Sequence, residues 1–203
     1  MRIGVLGTGT VGRAIAGKLA ELGHDVRVGS RTAGDDKVEY ADAAAHGEVL
    51  FCCTNGAGAL DALAAAGEAN LAGKLIIDTT NPLMRSGSGA ALFTGSDDSL
   101  GERIQRAAPA ARVVKSLNTI TAAVMVDPAS VPGDHVVFVC GDDDGAKDEA
   151  QALLGELGWP AERVIDLGDI TGARGAEAYV LLWVRLMAPL GGPFFNITLT
   201  SRS

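Results

Sequence analysis

The chain is poor in the residues that most site chemistries need. Its three cysteines, Cys52, Cys53 and Cys140, form no CxxC pair and sit inside the apolar runs "EVLFCCT" and "HVVFVC". They read as small buried residues of a protein kept in a reducing cytoplasm, which excludes a disulfide frame and a zinc site built on thiolates. The three histidines, His24, His46 and His135, have no ligand spacing among them. "GDDDGAKDEA" lacks the alternate spacing and closing glutamate of a calcium loop, so it reads as an Asp N-cap followed by an acidic first turn, and no metal is expected. Basic residues are in deficit, 17 Lys and Arg against 25 Asp and Glu, for a formal net charge of -8. That balance argues against nucleic acid or an anionic membrane as partner, yet it allows a local basic pocket for a phosphate. No apolar run approaches the length of a membrane span, and "MRIGVLG" runs straight into a strand with no visible signal peptide. Also missing are a nucleophile elbow and a dedicated acid–base pair.

What the chain does have is glycine, 27 of 203 residues, on a 47% hydrophobic background. Short apolar runs alternate with segments of 3.6-residue periodicity. "RIGVLG", "HDVRVGS", "EVLFCCT", "GKLIIDTT", "ARVVKSLN", "DHVVFVCG" and "AERVIDLGD" read as strands. "TVGRAIAGKLAELG", "ALDALAAAGEAN", "DGAKDEAQALLGELG" and the closing "GARGAEAYVLLWVRLMAPLG" read as helices, with a weak one over "DDKVEYADAAAHG". No repeat is evident. The alternation predicts an α/β fold, a doubly wound and mostly parallel sheet of Rossmann type with a small C-terminal helical part. The division expected is residues 1–168 for the dinucleotide-binding domain and 169–203 for the C-terminal helix and tail. Residues 84–99, rich in Gly and Ser, read as a surface connection or as a lid over a ligand. The end, "PFFNITLTSRS", reads as a last strand or an interface segment.

The chemistry concentrates in two places. Gly7, Gly9 and Gly12 form GxGxxG directly after the first strand and at the opening of a helix. There the first glycine permits the turn, the second lets a pyrophosphate approach the backbone, and the third lets helix and strand pack closely. At the end of the second strand, where an acid would hold a ribose 2'-hydroxyl, the chain reads "GSRT". Arg31 in that position favours a 2'-phosphate, with Ser30, Thr32 or Lys37 adding donors, so the nucleotide expected is NADP(H). "CCTNGAG", "DTTNPL" and "KSLNTITA" end three further strands and put Thr54, Asn55, Asn81, Pro82, Asn118 and Thr119 where the nicotinamide half would lie. Turn chemistry accounts for each of these residues as well. Asn118 and Thr119 are candidates to orient the carboxamide or a second substrate. Carbonyl or alcohol redox would need a proton donor beside the hydride, whereas transfer between two stacked ring cofactors needs mainly alignment.

With these residues in view, the sequence resembles the NADPH-dependent oxidoreductases of the deazaflavin coenzyme F420. The likeness spans nearly the whole chain. It rests on "IGVLGTGTVGRAIAGKLAELGHDVRVGSR", "VVKSLNTI", "VCGDDDGAK", "IDLGDITGAR", "LLWVRLMAPLGG" and "FNI". The resemblance implies a homodimer that binds NADP(H) and passes a hydride to or from F420 seated over the nicotinamide. It also implies that Thr8, Gly9, Thr10 and Val11 hold the pyrophosphate and Ser30 and Arg31 the 2'-phosphate, while Thr54, Asn81, Ile120 and Ala122 lie near the nicotinamide or the deazaflavin. The family's archaeal members have a histidine where this chain has Asn118 and a proline where it has Thr121. "NTI" is also similar to the cytosolic domains of membrane ferric reductases, which use NADPH with FAD or FMN. Hence a flavin or ferric reductase is the alternative to an F420 enzyme, and a non-catalytic NADP(H)-binding redox sensor is a second one. A β-hydroxyacid dehydrogenase would need a larger helical substrate domain than the residues after the sheet supply.

Overall fold

The computed structural model describes residues 1–87 and 89–201; Ser88 of the Gly/Ser-rich stretch and the last two residues of the tail lie outside the described residues. In chain order the elements are β1 (Arg2–Leu6), α1 (Thr10–Glu21), β2 (Asp25–Ser30), β3 (Val38–Glu39), α2 (Tyr40–His46), β4 (Val49–Cys52), α3 (Ala59–Ala66), α4 (Glu68–Leu71), β5 (Leu75–Asp78), β6 (Leu83–Ser86), β7 (Gly89–Leu92), α5 (Leu100–Ala107), β8 (Arg112–Ser116), α6 (Ala122–Val126), β9 (Val137–Cys140), α7 (Asp144–Glu156), β10 (Val164–Asp166) and α8 (Ala173–Leu186). One eight-stranded sheet has the order β10-β9-β8-β5-β4-β1-β2-β3. Pairing is parallel from β3 across to β8. β1, β4 and β5 are apolar on both sides because helices cover both faces, as continuous apolar runs predict.

One layer buries Ile15 and Leu19 of α1, Val124 of α6 and Leu153 and Leu154 of α7 against the sheet. The other buries Ala43 of α2, Leu63 of α3 and Ile104 of α5. The connections leaving β1 and β4 run in opposite directions along the sheet, so their carboxyl ends part and open a crevice. This is the place where doubly wound sheets bind ligands.

Four local readings change. β9 joins β8 antiparallel, with Lys115 opposite Cys140, and β10 follows β9 parallel; an apolar run says nothing of strand direction. The weak helix starts only at Tyr40, since Val38 and Glu39 pair with Gly29 and Ser30 of β2. The Gly/Ser-rich stretch is not a plain connection: β6 and β7 form an antiparallel hairpin, closed by the Phe93 N–H donating to the Pro82 carbonyl (2.9 Å), and α5 follows. The tail forms no strand among the described residues. It is held instead by the Val136 N–H donating to the Ile197 carbonyl (3.0 Å) and by Asn196 Nδ2 donating to the Val136 carbonyl (2.8 Å). Asp143 caps α7, its carboxylate accepting from the Ala146 N–H at 2.7 Å.

Candidate functional site

The turn after β1 is built by its glycines. Gly7 has φ +127°, and a Cβ there would meet the Cys53 carbonyl oxygen at 2.6 Å. A Cβ on Gly12 would meet the Gly7 carbonyl oxygen at 2.0 Å, so helix and turn can touch only with glycine. A Cβ on Gly9 would meet nothing within 4 Å. Inside the protein Gly9 is under no constraint, and a side chain there would fill the cradle at the helix N-terminus. No side chain caps that helix end, which leaves backbone N–H groups for a ligand phosphate.

A cleft of about 540 Å³ opens from this turn. It is lined by Gly7, Thr8 and Gly9 of the turn, by Arg31 after β2 and Tyr40 of α2, by Cys53, Thr54, Asn55 and Gly58 after β4, and by Asp61, Ala62 and Ala65 of α3. Arg31 is exposed and makes no hydrogen bond or ion pair among the described residues. Burial pushes the Tyr40 phenol above its ordinary range, and the nearby Arg31 charge pulls part of the way back.

The structure thus gathers Gly7, Thr8, Gly9, Arg31, Thr54 and Asn55 on one cleft, with Thr10, Val11 and Gly12 in the first turn of α1 behind it. Ser30, Thr32 and Lys37 do not line it. Ser30 is buried, its hydroxyl donating to the Thr32 carbonyl and accepting from the Thr32 N–H (3.3 Å), a turn that fixes the chain on either side of Arg31. Lys37 bridges to Gly34, with its stem lying against that glycine. Asn55 spends its side-chain oxygen on the Gly58 N–H (2.9 Å), as turn chemistry would have it. The sequence reading missed Tyr40, Gly58, Asp61, Ala62 and Ala65, because α2 and α3 carry no motif and reach the cleft only through the fold.

The second group lies at the carboxyl ends of β5 and β8. Asn81 Nδ2 donates to the Asn118 carbonyl (2.8 Å), and Asn118 Nδ2 donates to Asn81 Oδ1 (2.9 Å) and to the Ala176 carbonyl (3.0 Å). Both amide hydrogens of Asn118 are therefore committed to bracing β5, β8 and α8. Pro82, Thr119, Ile120 and Ala122, beside the two asparagines in sequence, are buried, and none of them lines the cleft. Leu117, just before Asn118, has φ +64°, a left-handed conformation that costs a bulky residue about 1–3 kcal/mol and turns the chain sharply at the sheet edge.

Beneath the brace lies a buried charge cluster that sequence did not announce. Lys115 Nζ contacts Asp78 Oδ2 at 2.8 Å and Glu177 Oε1 at 2.9 Å, and all three side chains are fully or almost fully buried. Glu177 also accepts from the N–H groups of Leu100 (2.8 Å) and Gly101 (2.9 Å), capping α5 from α8. Burial pulls the Lys115 ammonium down, but the two carboxylates outweigh it and hold it above its ordinary range. The available signal was a single charge inside each of two apolar runs, "LIIDTT" and "VVKSL". By contrast, burial pushes the Cys52 and Cys140 thiols up to about 12, which disfavours the thiolate form.

Fold, glycine turn and cleft are those of a Rossmann dinucleotide-binding protein. The model of the family described as NADP oxidoreductase, coenzyme F420-dependent, matches residues 2–82. The crystal structure of a protein of Arthrobacter sp. FB24 designated an F420-dependent NADP-reductase is 46% identical, covering 99% of this chain and 100% of that one with a TM-score of 0.93. Metalloreductase STEAP3 of Rattus norvegicus is 30% identical over 192 residues, 89% of this chain, and the chain spans 36% of that protein. A reductive aminase of Aspergillus terreus is similar in fold alone, at 22% identity and a TM-score of 0.65, over 94% of this chain and 62% of that one. The chain belongs to the family of coenzyme F420-dependent NADP oxidoreductases. It is accordingly an NADP-dependent oxidoreductase, and among its described residues no helix is long and apolar enough to cross a membrane.

Proposed function

We propose that this enzyme transfers a hydride between NADP(H) and the deazaflavin coenzyme F420. The observation that carries the nucleotide half is the pairing, in one cleft, of an unconstrained Gly9 with an unpartnered Arg31. Thr8 to Val11 would hold the pyrophosphate on the end of α1, and Arg31 the 2'-phosphate, its loop shaped by Ser30 and Thr32. Thr54, Asn81, Ile120 and Ala122 would border the nicotinamide, with the Asn81–Asn118 brace holding the sheet edge in place. The hydride would pass directly between the carbons of the two rings and the accompanying proton would exchange with solvent at a ring nitrogen of the deazaflavin, so the chain needs mainly to align the rings. The name of the Arthrobacter relative supports F420 as the partner. The match to a metalloreductase supports a second reading, the same NADPH site serving FAD or FMN. We further infer a homodimer formed through residues 169–203, with residues 1–168 as the nucleotide domain, working in the cytoplasm.

The test is to mix the protein and NADPH with F420, FAD or FMN and follow the loss of nicotinamide absorbance. Turnover with F420 at least about tenfold faster than with either flavin is the expected outcome. Turnover with FAD or FMN alone would replace F420 by the second reading.

A further inference from the structure

We propose that Tyr40 is a second selector of the nucleotide, its phenol donating a hydrogen bond to the 2'-phosphate beside Arg31; the inference rests on the NADP(H) reading of the cleft. β2 and β3 run parallel with Ser30 opposite Glu39, so Arg31 and Tyr40 are the next residues off two neighbouring strand ends, which in a sheet stand about 4.8 Å apart. Both line the cleft, and the Arg31 charge is close enough to act on the phenol. The Tyr40 ring is fixed by packing. It lies over Gly29, where a Cβ would meet its Cδ1 at 3.2 Å, and it rests against the apolar layer of α2 and α3. That packing explains an aromatic ring, and phenylalanine would meet it equally. It does not explain the hydroxyl, which makes no hydrogen bond among the described residues. Nor is the hydroxyl sealed in: among the described residues the buried polar side-chain atoms without a partner are on Tyr179, Trp183 and Asn196. Burial holds the phenol above its ordinary range, so at neutral pH it keeps its proton and can donate. A guanidinium fork takes two phosphate oxygens and leaves the third for another donor. Of the other donors near Arg31 in sequence, the Ser30 hydroxyl turns back on Thr32, and neither Thr32 nor Lys37 lines the cleft.

The experiment compares dissociation constants of NADPH and NADH, by calorimetry, for the wild type, Tyr40→Phe, Tyr40→Leu and Arg31→Ala. Tyr40→Phe keeps the ring on Gly29 and removes the hydroxyl alone, so its melting temperature should match the wild type. Its NADPH affinity should fall about tenfold, the size of a hydrogen bond to a charged group, while its NADH affinity stays within about threefold of wild type. Tyr40→Leu loosens the packing as well and should weaken both ligands, but its NADPH/NADH ratio should equal that of Tyr40→Phe, since the ratio reports on the phosphate alone. An unchanged ratio in Tyr40→Phe would overturn the proposal; a lowered one in Arg31→Ala would then leave the NADP(H) reading standing. Equal losses of the two ligands in Tyr40→Phe would also overturn it and place the phenol on a group that both nucleotides share. A wild type that binds the two equally would overturn the NADP(H) reading, and the inference with it.

Discussion

Gly9 and Gly12 stand three residues apart in one turn, and their surroundings give them opposite reasons to be glycine. A Cβ on Gly12 would lie 2.0 Å from the Gly7 carbonyl oxygen, a backbone atom that cannot move without opening the turn. One on Gly9 would meet nothing within 4 Å. Gly9→Val should therefore leave the melting temperature of the free protein nearly unchanged and abolish most NADPH affinity, while Gly12→Val should destabilise the fold itself. Thermal melts with and without NADPH distinguish the two, and a Gly9→Val protein that keeps wild-type affinity would remove the pyrophosphate from this turn. Arg31 has no protein partner to lose, so Arg31→Ala should also fold normally. Its cost should fall on the 2'-phosphate alone, about 1.5–3 kcal/mol or a tenfold and larger drop in the NADPH/NADH affinity ratio. An unchanged ratio would show that another residue selects the nucleotide. Much of this was legible at the residue level. GxGxxG and an arginine after β2 carry their mechanism in the sequence, because the backbone conformation and the charge are properties of those residues. Ser30 and Asn55 were harder to read: a hydroxyl or amide that turns back on its own loop looks, in sequence, like one that faces a ligand.

At the level of elements, α8 is fastened to the sheet by charge. Lys115 sits between Asp78 and Glu177 with no exposed surface on its side chain, and Glu177 in turn caps α5. Removing the cation leaves two buried carboxylates facing each other, so Lys115→Met should cost about 3–5 kcal/mol in denaturant unfolding, well beyond the loss of an ordinary packed side chain. A cost under about 1 kcal/mol would mean the cluster is not ionised as drawn. A second charge set gives a pH signature. Arg106, then Arg103, hydrogen-bond Asp98 and hold its carboxyl at about 2, below the ordinary 3.8. A depressed folded-state value adds stability above the unfolded value and loses it as the pH falls towards the folded one. Arg106 is largely exposed, so solvent trims the contribution to about 1–2 kcal/mol. Asp98→Asn should be less stable than wild type by that amount at pH 6, with the gap closing between pH 4 and about 2 in urea titrations. A gap that persists at pH 2 would assign the loss to packing. The elements that escaped the sequence reading share a cause. α5 is short and mostly polar, and its local signal, Ser99 capping the Glu102 N–H, stands at the end of a Gly/Ser-rich stretch that reads as a connection, while Glu177 adds a second cap from far along the chain. The β6–β7 hairpin is written in Gly and Ser, which signal turns and not strands. The charge cluster needs three elements to meet before it exists.

For the whole molecule the open surface is the outer side of α8 and the tail. The run "YVLLWVRLM" puts apolar residues most of the way round the helix, and the structure divides that surface in two. Ala173, Ala176 and Val180 are buried against the fold. Trp183 is half-buried, stacking on Phe195 with ring centroids 5.5 Å apart and an interplanar angle of 24°. Leu182 at 55%, Leu190 at 57% and Phe194 at 67% remain exposed. Large apolar side chains left exposed along one helix and the tail that follows it are the usual mark of a covered interface, and a second copy related by two-fold symmetry is the commonest cover. The division also decides which variants can test the dimer. Trp183→Glu would break the stack on Phe195 and loosen the tail in a single subunit, so a monomer obtained that way would prove little. Leu182→Glu with Phe194→Glu removes apolar surface that touches little within the subunit and places like charges across any symmetric contact. Light scattering at micromolar concentration should give a dimer for the wild type and a monomer for this double variant, with the circular dichroism of the two unchanged. A wild-type monomer would reject the dimer. A double variant that stays dimeric would move the interface away from α8, to another exposed apolar surface such as the hairpin at Leu83 and Met84.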